Sequence, residues 1–225
     1  HSLGDQIDIH GGGQDLVFPH HENEIAQAEA ATDCPPFVSY WAHTGLVLTD
    51  GEKMAHSLEN FTAVADILRT ASPDVLRLHL LSVHYRSSLN FSPDGLQQSR
   101  AAYVRLLTVM RSRGQDTDTD GTTLEKATEK ARLSFENAMD DDFNAPQAIG
   151  AIFDFGHTIN RLAPHTPHET VASSQAVFEE LLSVVGIELH EPDGADTDTD
   201  PYIDMLVQVR RQLREAKQWA LADQI

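Results

Sequence analysis

A histidine and a glutamate four residues apart are the first candidates for chemistry in this sequence. His20 and Glu24 lie in the segment Phe18-Pro19-His20-His21-Glu22-Asn23-Glu24, and on a helix that spacing places both side chains on one face. One imidazole nitrogen and one carboxylate oxygen can occupy two positions of a tetrahedral zinc site. Two ligands do not close a site, and the pattern alone favours a surface helix with an acidic first turn.

A run of three glycines is the second candidate. It belongs to Asp8-Ile9-His10-Gly11-Gly12-Gly13-Gln14-Asp15. Glycines after a strand let backbone amides approach a ligand closely and often surround an anion. A glycine run by itself is more typical of a plain turn, and His10 directly before it points toward a site without defining one.

The third candidate is the polar segment from Gly51 to Phe61, which carries Lys53 and His56. Cations on a loop that follows a strand can stabilise the negative charge of a phosphoryl-transfer transition state. As a bare pattern the segment is an ordinary polar loop.

The elements that would position these residues come from an α/β region. Alternation predicts a strand over 5–9. The sequence also predicts a strand over 38–48, which ends in the turn Thr49-Asp50-Gly51. A helix is predicted from His20 to Ala31. Two further helices are predicted over 62–69 and 73–84, the second with Ser72 and Pro73 as its start signal.

From residue 92 onward the pattern is helical. Apolar residues three and four apart predict a bundle of five helices: 93–112, 123–139, 145–162, 169–185 and 201–223. Tracts of Asp, Thr and Gly at 114–122 and 191–200 predict solvated loops. The fold class is therefore α/β to mostly α, divided at 1–48, 49–92 and 93–225.

The composition indicates a globular protein with an unusual charge. Hydrophobic residues make up 40% of the 225 residues, and no apolar run approaches the length of a membrane span. Cys34 is the only cysteine, which excludes an internal disulfide and fits a reducing cytoplasm. We expect Cys34 to be an ordinary packing or surface residue.

The net charge of −19 opposes nonspecific binding to nucleic acid, since it repels phosphate. A partner such as RNA would need a local basic strip or screening salt. Because acidic, lysine-poor surfaces suit concentrated salt, we expect a halophilic source. The sequence begins at His1 and stops within a helical pattern, so we expect both ends to be cuts.

Taken in order, the three candidate segments closely resemble cysteinyl-tRNA synthetases, which are class I enzymes. The match extends to Leu80-Leu81-Ser82-Val83-His84-Tyr85-Arg86-Ser87 and to Ala138-Met139-Asp140-Asp141-Asp142-Phe143-Asn144. The resemblance covers nearly the whole chain at the family's spacing. It implies the C-terminal end of a Rossmann-like catalytic domain, a connecting region around the loop, and a helical tRNA-binding bundle.

The resemblance also implies a reaction. Cysteine and ATP, with Mg²⁺, would give cysteinyl-adenylate and pyrophosphate, and the cysteinyl group would pass to the 3′ end of tRNA-Cys. The enzyme would be a cytoplasmic monomer with no membrane partner.

The resemblance assigns site residues in this chain. His20 and Glu24 would bind zinc together with two cysteines upstream of His1, and Cys34 matches neither cysteine. The zinc would hold the substrate thiolate and reject serine, whose hydroxyl is a poorer ligand. Substrate would contact His10, which is also assigned as catalytic, together with Gly12 and Asp15.

For ATP the resemblance assigns Lys53, His56 and Ser57, with Lys53 and His56 also catalytic. The family's Lys-Met-Ser-Lys-Ser motif reads Lys53-Met54-Ala55-His56-Ser57 here, so an imidazole replaces the second lysine. Since a neutral imidazole carries no fixed charge, this departure puts the rate in doubt.

Two further features bear on activity and on the RNA. The His-Ile-Gly-His type motif is absent from these 225 residues, and we expect them not to aminoacylate alone. Near the end, Arg210, Arg211 and Arg214 are the candidate tRNA contacts; a solvated face is equally compatible with their pattern.

Two alternatives to a synthetase stay open at this stage. One is a non-catalytic paralogue kept for binding, which the altered loop makes conceivable. The other is the related cysteine ligase of mycothiol biosynthesis, which shares the activation chemistry but has a different acceptor.

Overall fold

The first structural unit is a parallel strand–helix–strand arrangement. In the computed structural model, which describes residues 4–55, 60–116, 121–190, 209–211 and 213–214, β1 (Ile7–Gly13) pairs in parallel with β2 (Val38–Thr44). The helix α1 (Glu22–Thr32) connects them. A helical crossover between parallel strands is typical of nucleotide-binding α/β domains.

The start of α1 differs from the prediction. Residues Val17–His21 form a wide, π-type turn with an extended residue, Phe18, inside it. The helix therefore begins at Glu22 rather than at His20. This turn changes the register of the two histidines relative to the helix.

A small three-stranded sheet follows, with strand order β4-β3-β5. β3 (Val47–Thr49) is antiparallel to β4 (Glu52–Lys53) and parallel to β5 (Leu89–Asn90). The single strand predicted over 38–48 is divided, because Gly45 leaves β2 and its amide donates to the Tyr85 carbonyl at 2.7 Å. The predicted division at residue 48 thus falls inside β3.

Two short helices lead to the bundle. α2 (Val64–Ile67) is followed by α3 (Pro73–Leu80). The Ser72 hydroxyl accepts a hydrogen bond from the Val75 amide at 3.3 Å, which is the predicted N-cap. α3 ends four residues before the predicted boundary, and turns from 81 to 88 lead into β5.

Four long helices follow, each within two residues of its predicted bounds. They are α4 (Pro93–Arg111), α5 (Thr122–Asp140), α6 (Ala145–Leu162) and α7 (His168–Val184). Ser92 and Asn144 cap α4 and α6 by accepting from the Gly95 and Gln147 amides. A short polar cap followed by a proline in the first turn fixes where α4 and α6 begin.

One hydrophobic core runs from α2 to α7. Its fully buried side chains include Leu106, Leu124, Ile152, Ile159, Phe178 and Leu182. The predicted class, α/β leading into mostly α, is confirmed. Among the described residues, every helix is too short or too polar to cross a membrane.

The residues from 190 onward separate from residues 1–189 as a second unit. Most of the predicted helix 201–223 lies outside the described residues. Residues 209–211 and 213–214 are helical.

His79 is a titratable side chain buried between α3 and α4. It is 5% exposed, and its Nδ1 atom lies 3.2 Å from the Ser99 hydroxyl. Its Nε2 atom is buried with no hydrogen-bond partner in the described part of the chain. Burial therefore lowers the pKa of His79 below its ordinary value.

We predict that the fold loses stability as the pH falls through about 6.5, the ordinary value for histidine. In the unfolded chain His79 then binds a proton that it resists in the folded chain. The free energy of unfolding therefore decreases as the pH falls. Urea unfolding from pH 7 to 5 should show a shallower pH dependence for His79→Leu than for the unmodified chain. The same change at exposed His157 should leave the dependence unaltered, and equal slopes in all three proteins would contradict the prediction.

Candidate active site

A cluster of aromatic rings lies at the β1–β2 pair. His10 comes from β1, His21 from the end of the π-type turn, and Trp41 and His43 from β2. The His10 ring centroid lies 4.9 Å from His21 and 4.8 Å from Trp41. Trp41 stacks on His43 at 5.7 Å, so the four rings form one contiguous cluster.

The glycine run makes room for this cluster. A Cβ atom on Gly12 would lie 2.8 Å from Cε1 of His21, a separation that side chains do not tolerate. Gly12 is therefore needed because His21 packs directly on β1. The assignment of Gly12 to substrate binding stays a prediction, and in this structure the missing side chain of Gly12 makes room for the His21 ring.

A potential metal-binding group is part of the cluster. Ligand atoms of His10, His21 and Glu24 all lie within 4.8 Å of one another, and His10 Nε2 is 2.8 Å from Glu24 Oε2. Imidazole nitrogens and a carboxylate oxygen are ligands that zinc takes, so the donor set fits the metal that the family resemblance implies.

The histidine in that group is not the one that spacing predicted. His20 is exposed and lies near Asp15, where its charge helps to lower the pKa of the Asp15 carboxyl. The i, i+4 argument assumed a regular helix from His20. Because α1 begins at Glu22, it is His21, 5% exposed, that joins Glu24. The assignment of His20 as a ligand stays a prediction.

His43 supports His21 from the neighbouring strand. Its Nε2 atom lies 2.8 Å from Nδ1 of His21. Burial is the main cause that lowers the pKa of His43, followed by the nearby charges of His21, Arg86 and His10. Both effects disfavour the protonated form of the His43 imidazole.

The lysine of the predicted ATP loop contacts the glycine segment. Lys53 Nζ lies 2.6 Å from Asp15 Oδ2, which joins β4 to the short turn directly after β1. The hydrogen bond from Lys53 is the main reason that the pKa of Asp15 is lowered. Asp15 and Lys53, predicted to contact substrate and ATP, therefore lie side by side.

Asn60 closes the base of the loop. Its Oδ1 atom accepts from the Ala55 amide at 2.9 Å, and its Nδ2 donates to the Lys53 carbonyl at 3.1 Å. His56 and Ser57 lie outside the described residues. Asn60 thus fixes the two residues on which the loop begins.

Sequence reasoning missed His21, Trp41 and His43 as site residues. Trp41 and His43 are two apart on a strand and so share a face, a signal that was available. Placing that face against β1 requires the register Gly12↔His43, which alternation does not supply. Cys34 is half-buried and free, as expected.

Two family models match the chain. Residues 1–101 match the class I tRNA synthetase (C) catalytic domain, and residues 134–190 match the DALR domain. The Cysteine–tRNA ligases of Pectobacterium carotovorum and Yersinia enterocolitica are each 44% identical, over 99% and 98% of this chain. The chain belongs to the cysteinyl-tRNA synthetase family. It spans about half of the length of these relatives, 48% in both cases.

A solved structure supports the class I fold. A LeuRS from Agrobacterium radiobacter, in a ternary complex with tRNA and LeuAMS, matches with a TM-score of 0.59 and 19% identity. It covers 80% of this chain, which covers 27% of that one. For a cysteinyl-tRNA synthetase family member the match shows shared architecture. The ring cluster, Lys53 and Asp15 all lie within the matched catalytic domain.

The predicted tRNA contacts lie outside both matched models. Arg210, Arg211 and Arg214 are helical and exposed. Their role in this family member stays a prediction.

Proposed function

We propose that this protein activates cysteine with ATP and transfers it to the 3′ end of tRNA-Cys. The observation that carries the proposal is 43–44% identity to Cysteine–tRNA ligases along 98–99% of the chain. The proximity of Lys53 to the β1–β2 site supports it. In that reaction, a cysteine carboxylate oxygen attacks the α-phosphorus of ATP, and the bond to pyrophosphate breaks. A ribose hydroxyl of the tRNA then attacks the carbonyl carbon, and AMP leaves.

Lys53 would stabilise the charge that develops on the leaving pyrophosphate. In the present structure its ammonium group is held by Asp15 at 2.6 Å. Binding of Mg²⁺–ATP would exchange that carboxylate for phosphate oxygens. His10, 29% exposed at the ring cluster, would contact the cysteine substrate beside Gly12.

Zinc, when bound, would hold the thiolate of the substrate and disfavour serine. Glu24 would be one ligand, because it belongs both to the observed group and to the pair that the resemblance implies. The histidine ligand would come from His10, His20 or His21. A site that binds through sulfur discriminates by ligand chemistry rather than by a missing methyl group.

The tRNA partner requires local positive charge on a chain of net charge −19. The proposed contacts are Arg210, Arg211 and Arg214. We also propose that the protein is a monomer, that it acts in the cytoplasm, and that its source organism is halophilic.

Cysteine-dependent exchange of pyrophosphate into ATP tests the function. The test protein is a chimera in which this chain replaces the segment it matches in the Pectobacterium ligase. We predict exchange in the chimera, and a higher rate, by about tenfold, in its His56→Lys variant, since lysine adds a full charge near the triphosphate. The unmodified ligase is the positive control, and circular dichroism checks that each chimera folds.

Exchange in the chimera followed by charging of tRNA-Cys supports the proposal. No exchange in the chimera with recovery in His56→Lys would mean a binding paralogue. No exchange in either folded chimera would reject cysteine activation for this chain.

A further inference from the structure

The turn between α5 and α6 holds one carboxylate in an unusual backbone conformation. Asp142 and the next residue, Phe143, have φ angles of 56° and 52°. The left-handed region is tolerated by Asp but is unfavourable for a bulky residue such as Phe. Phe143 is also 67% exposed, so burial of its ring does not stabilise the turn.

Three consecutive side chains of the connecting region converge on Asp142. Arg86 donates from Nε and Nη2 to its two carboxylate oxygens at 2.5 and 2.9 Å. The Tyr85 hydroxyl donates at 2.7 Å, and His84 Nε2 lies 3.9 Å away. The Arg86 guanidinium also lies over the Tyr85 ring, 5.0 Å from its centroid. The carboxylate therefore forms a bidentate ion pair with Arg86 and accepts a hydrogen bond from the Tyr85 hydroxyl.

These contacts shift the pKa values of both Asp142 and Tyr85 in the direction that keeps the carboxyl ionised and the hydroxyl protonated. The hydrogen bond from Arg86 is the main cause that keeps the pKa of Asp142 far below its ordinary value. The same carboxylate raises the pKa of Tyr85. At neutral pH the turn therefore presents a full negative charge to a protonated hydroxyl and a guanidinium.

The same segment is attached to the histidine site. The Tyr85 carbonyl accepts the hydrogen bond of the Gly45 amide at 2.7 Å, directly after β2 ends. Gly45 packs so closely on the backbone of Ser87 and Ser88 that a Cβ atom would not fit. His43 lies two residues before Gly45, and the charge of Arg86 is one of the causes that lower its pKa.

We propose that Asp142 is a positioning residue for the β1–β2 site. From the helical domain it holds Tyr85 and Arg86, and through the Tyr85–Gly45 hydrogen bond it fixes the end of β2 and the placement of His43. Tyr85 and Arg86 lie in the matched catalytic domain, and Asp142 lies in the matched DALR domain. The contact is thus a link between the two matched domains. Its consequence for catalysis rests on the proposed function.

Exposure alone does not decide the strength of this contact. The Arg86 and Asp142 side chains are 52% and 43% exposed, and single surface ion pairs contribute little. Here the carboxylate accepts a further hydrogen bond from the Tyr85 hydroxyl besides the bidentate pair with Arg86. It also maintains an unfavourable backbone conformation. A second bidentate surface pair, Arg132 with Glu180 on α7, lies within the bundle and serves as the matched control.

Amide hydrogen exchange of the 225-residue chain tests the link. Asn at position 142 tolerates the same φ but carries no charge. We expect Asp142→Asn to speed exchange of the Gly45 amide by about fivefold, as for a contact somewhat stronger than a typical surface pair, while amides of α4 and α6 keep their rates. Glu180→Gln should leave Gly45 unchanged. An unchanged Gly45 rate in Asp142→Asn, or equal changes in both variants, would overturn the proposal.

A kinetic arm uses the chimera described above. Asp142→Asn should raise the KM for cysteine by about threefold, with the KM for ATP unaltered, because the ring cluster rather than Lys53 is displaced. A general loss of folded enzyme would lower the rate without such a split. If the KM for cysteine is the same in the Asp142→Asn and unmodified chimeras while the Gly45 amide exchanges faster, the proposed effect on the β1–β2 site is wrong. If the unmodified chimera is inactive, the proposed function fails while the exchange experiment still decides the link.

Discussion

Replacing Leu124 by alanine should lower the free energy of unfolding by about 3 kcal/mol, in the usual range for a leucine removed from a core. Leu124 lies on α5, is 0% exposed and belongs to the core that joins α2 to α7. The loss has two parts. The removed atoms no longer contribute their free energy of transfer out of water, and they leave a cavity that the close-packed neighbours fill only partly. Urea unfolding followed by circular dichroism measures the change.

Leu133 provides a control on the same helix. It is 58% exposed, and Leu133→Ala removes the same atoms while keeping a strong helix former. Its effect should stay within about 0.5 kcal/mol. Similar losses for the two variants would mean that the α5 face assigned to the core is wrong.

Helix bounds were the most predictable feature of this fold. α6 matches its predicted range, 145–162, because a three–four apolar spacing coincides with an Asn cap and a proline in its first turn. Both signals are local, so neither depends on what packs against the helix. α3 ended early because the chain must turn to reach β5, a demand that comes from the tertiary structure.

The strands were less predictable for the same reason. The prediction treated 38–48 as one strand, because residues that favour strands lie at both ends of that range. The break comes at Gly45, whose amide bonds to Tyr85 40 residues away. Pairing of that kind is invisible in a local pattern.

The candidate site was predicted in its parts but not in its assembly. His10, Gly12, Asp15, Glu24 and Lys53 were all selected from the sequence, and the structure places them on the β1–β2 unit and the adjoining hairpin. The contact between Asp15 and Lys53 joins segments 38 residues apart. Spacing alone cannot supply such a contact, and a one-residue offset in a turn was enough to place His21 rather than His20 beside Glu24.

Replacing Glu24 by glutamine should remove zinc from the chimera, with affinity lowered by at least about a hundredfold. Loss of a direct ligand costs more than the 10–100-fold typical of an outer-shell partner. The carboxylate is the one donor common to the geometric group and to the family pair, whereas a glutamine oxygen carries no charge. Metal content after gel filtration, measured by atomic absorption, gives the result without any assay of activity.

Glu22→Gln is the matched control, because Glu22 is an exposed carboxylate on the same helix and outside the group. Retained zinc in Glu24→Gln would exclude Glu24 as a ligand. His20→Asn and His21→Asn then separate the two histidines. The observed geometry predicts that His21→Asn loses zinc, since His21 and Glu24 already lie together. Loss with His20→Asn instead would mean that residues 17–21 change register when the metal binds, because a regular helical turn there brings His20 over Glu24.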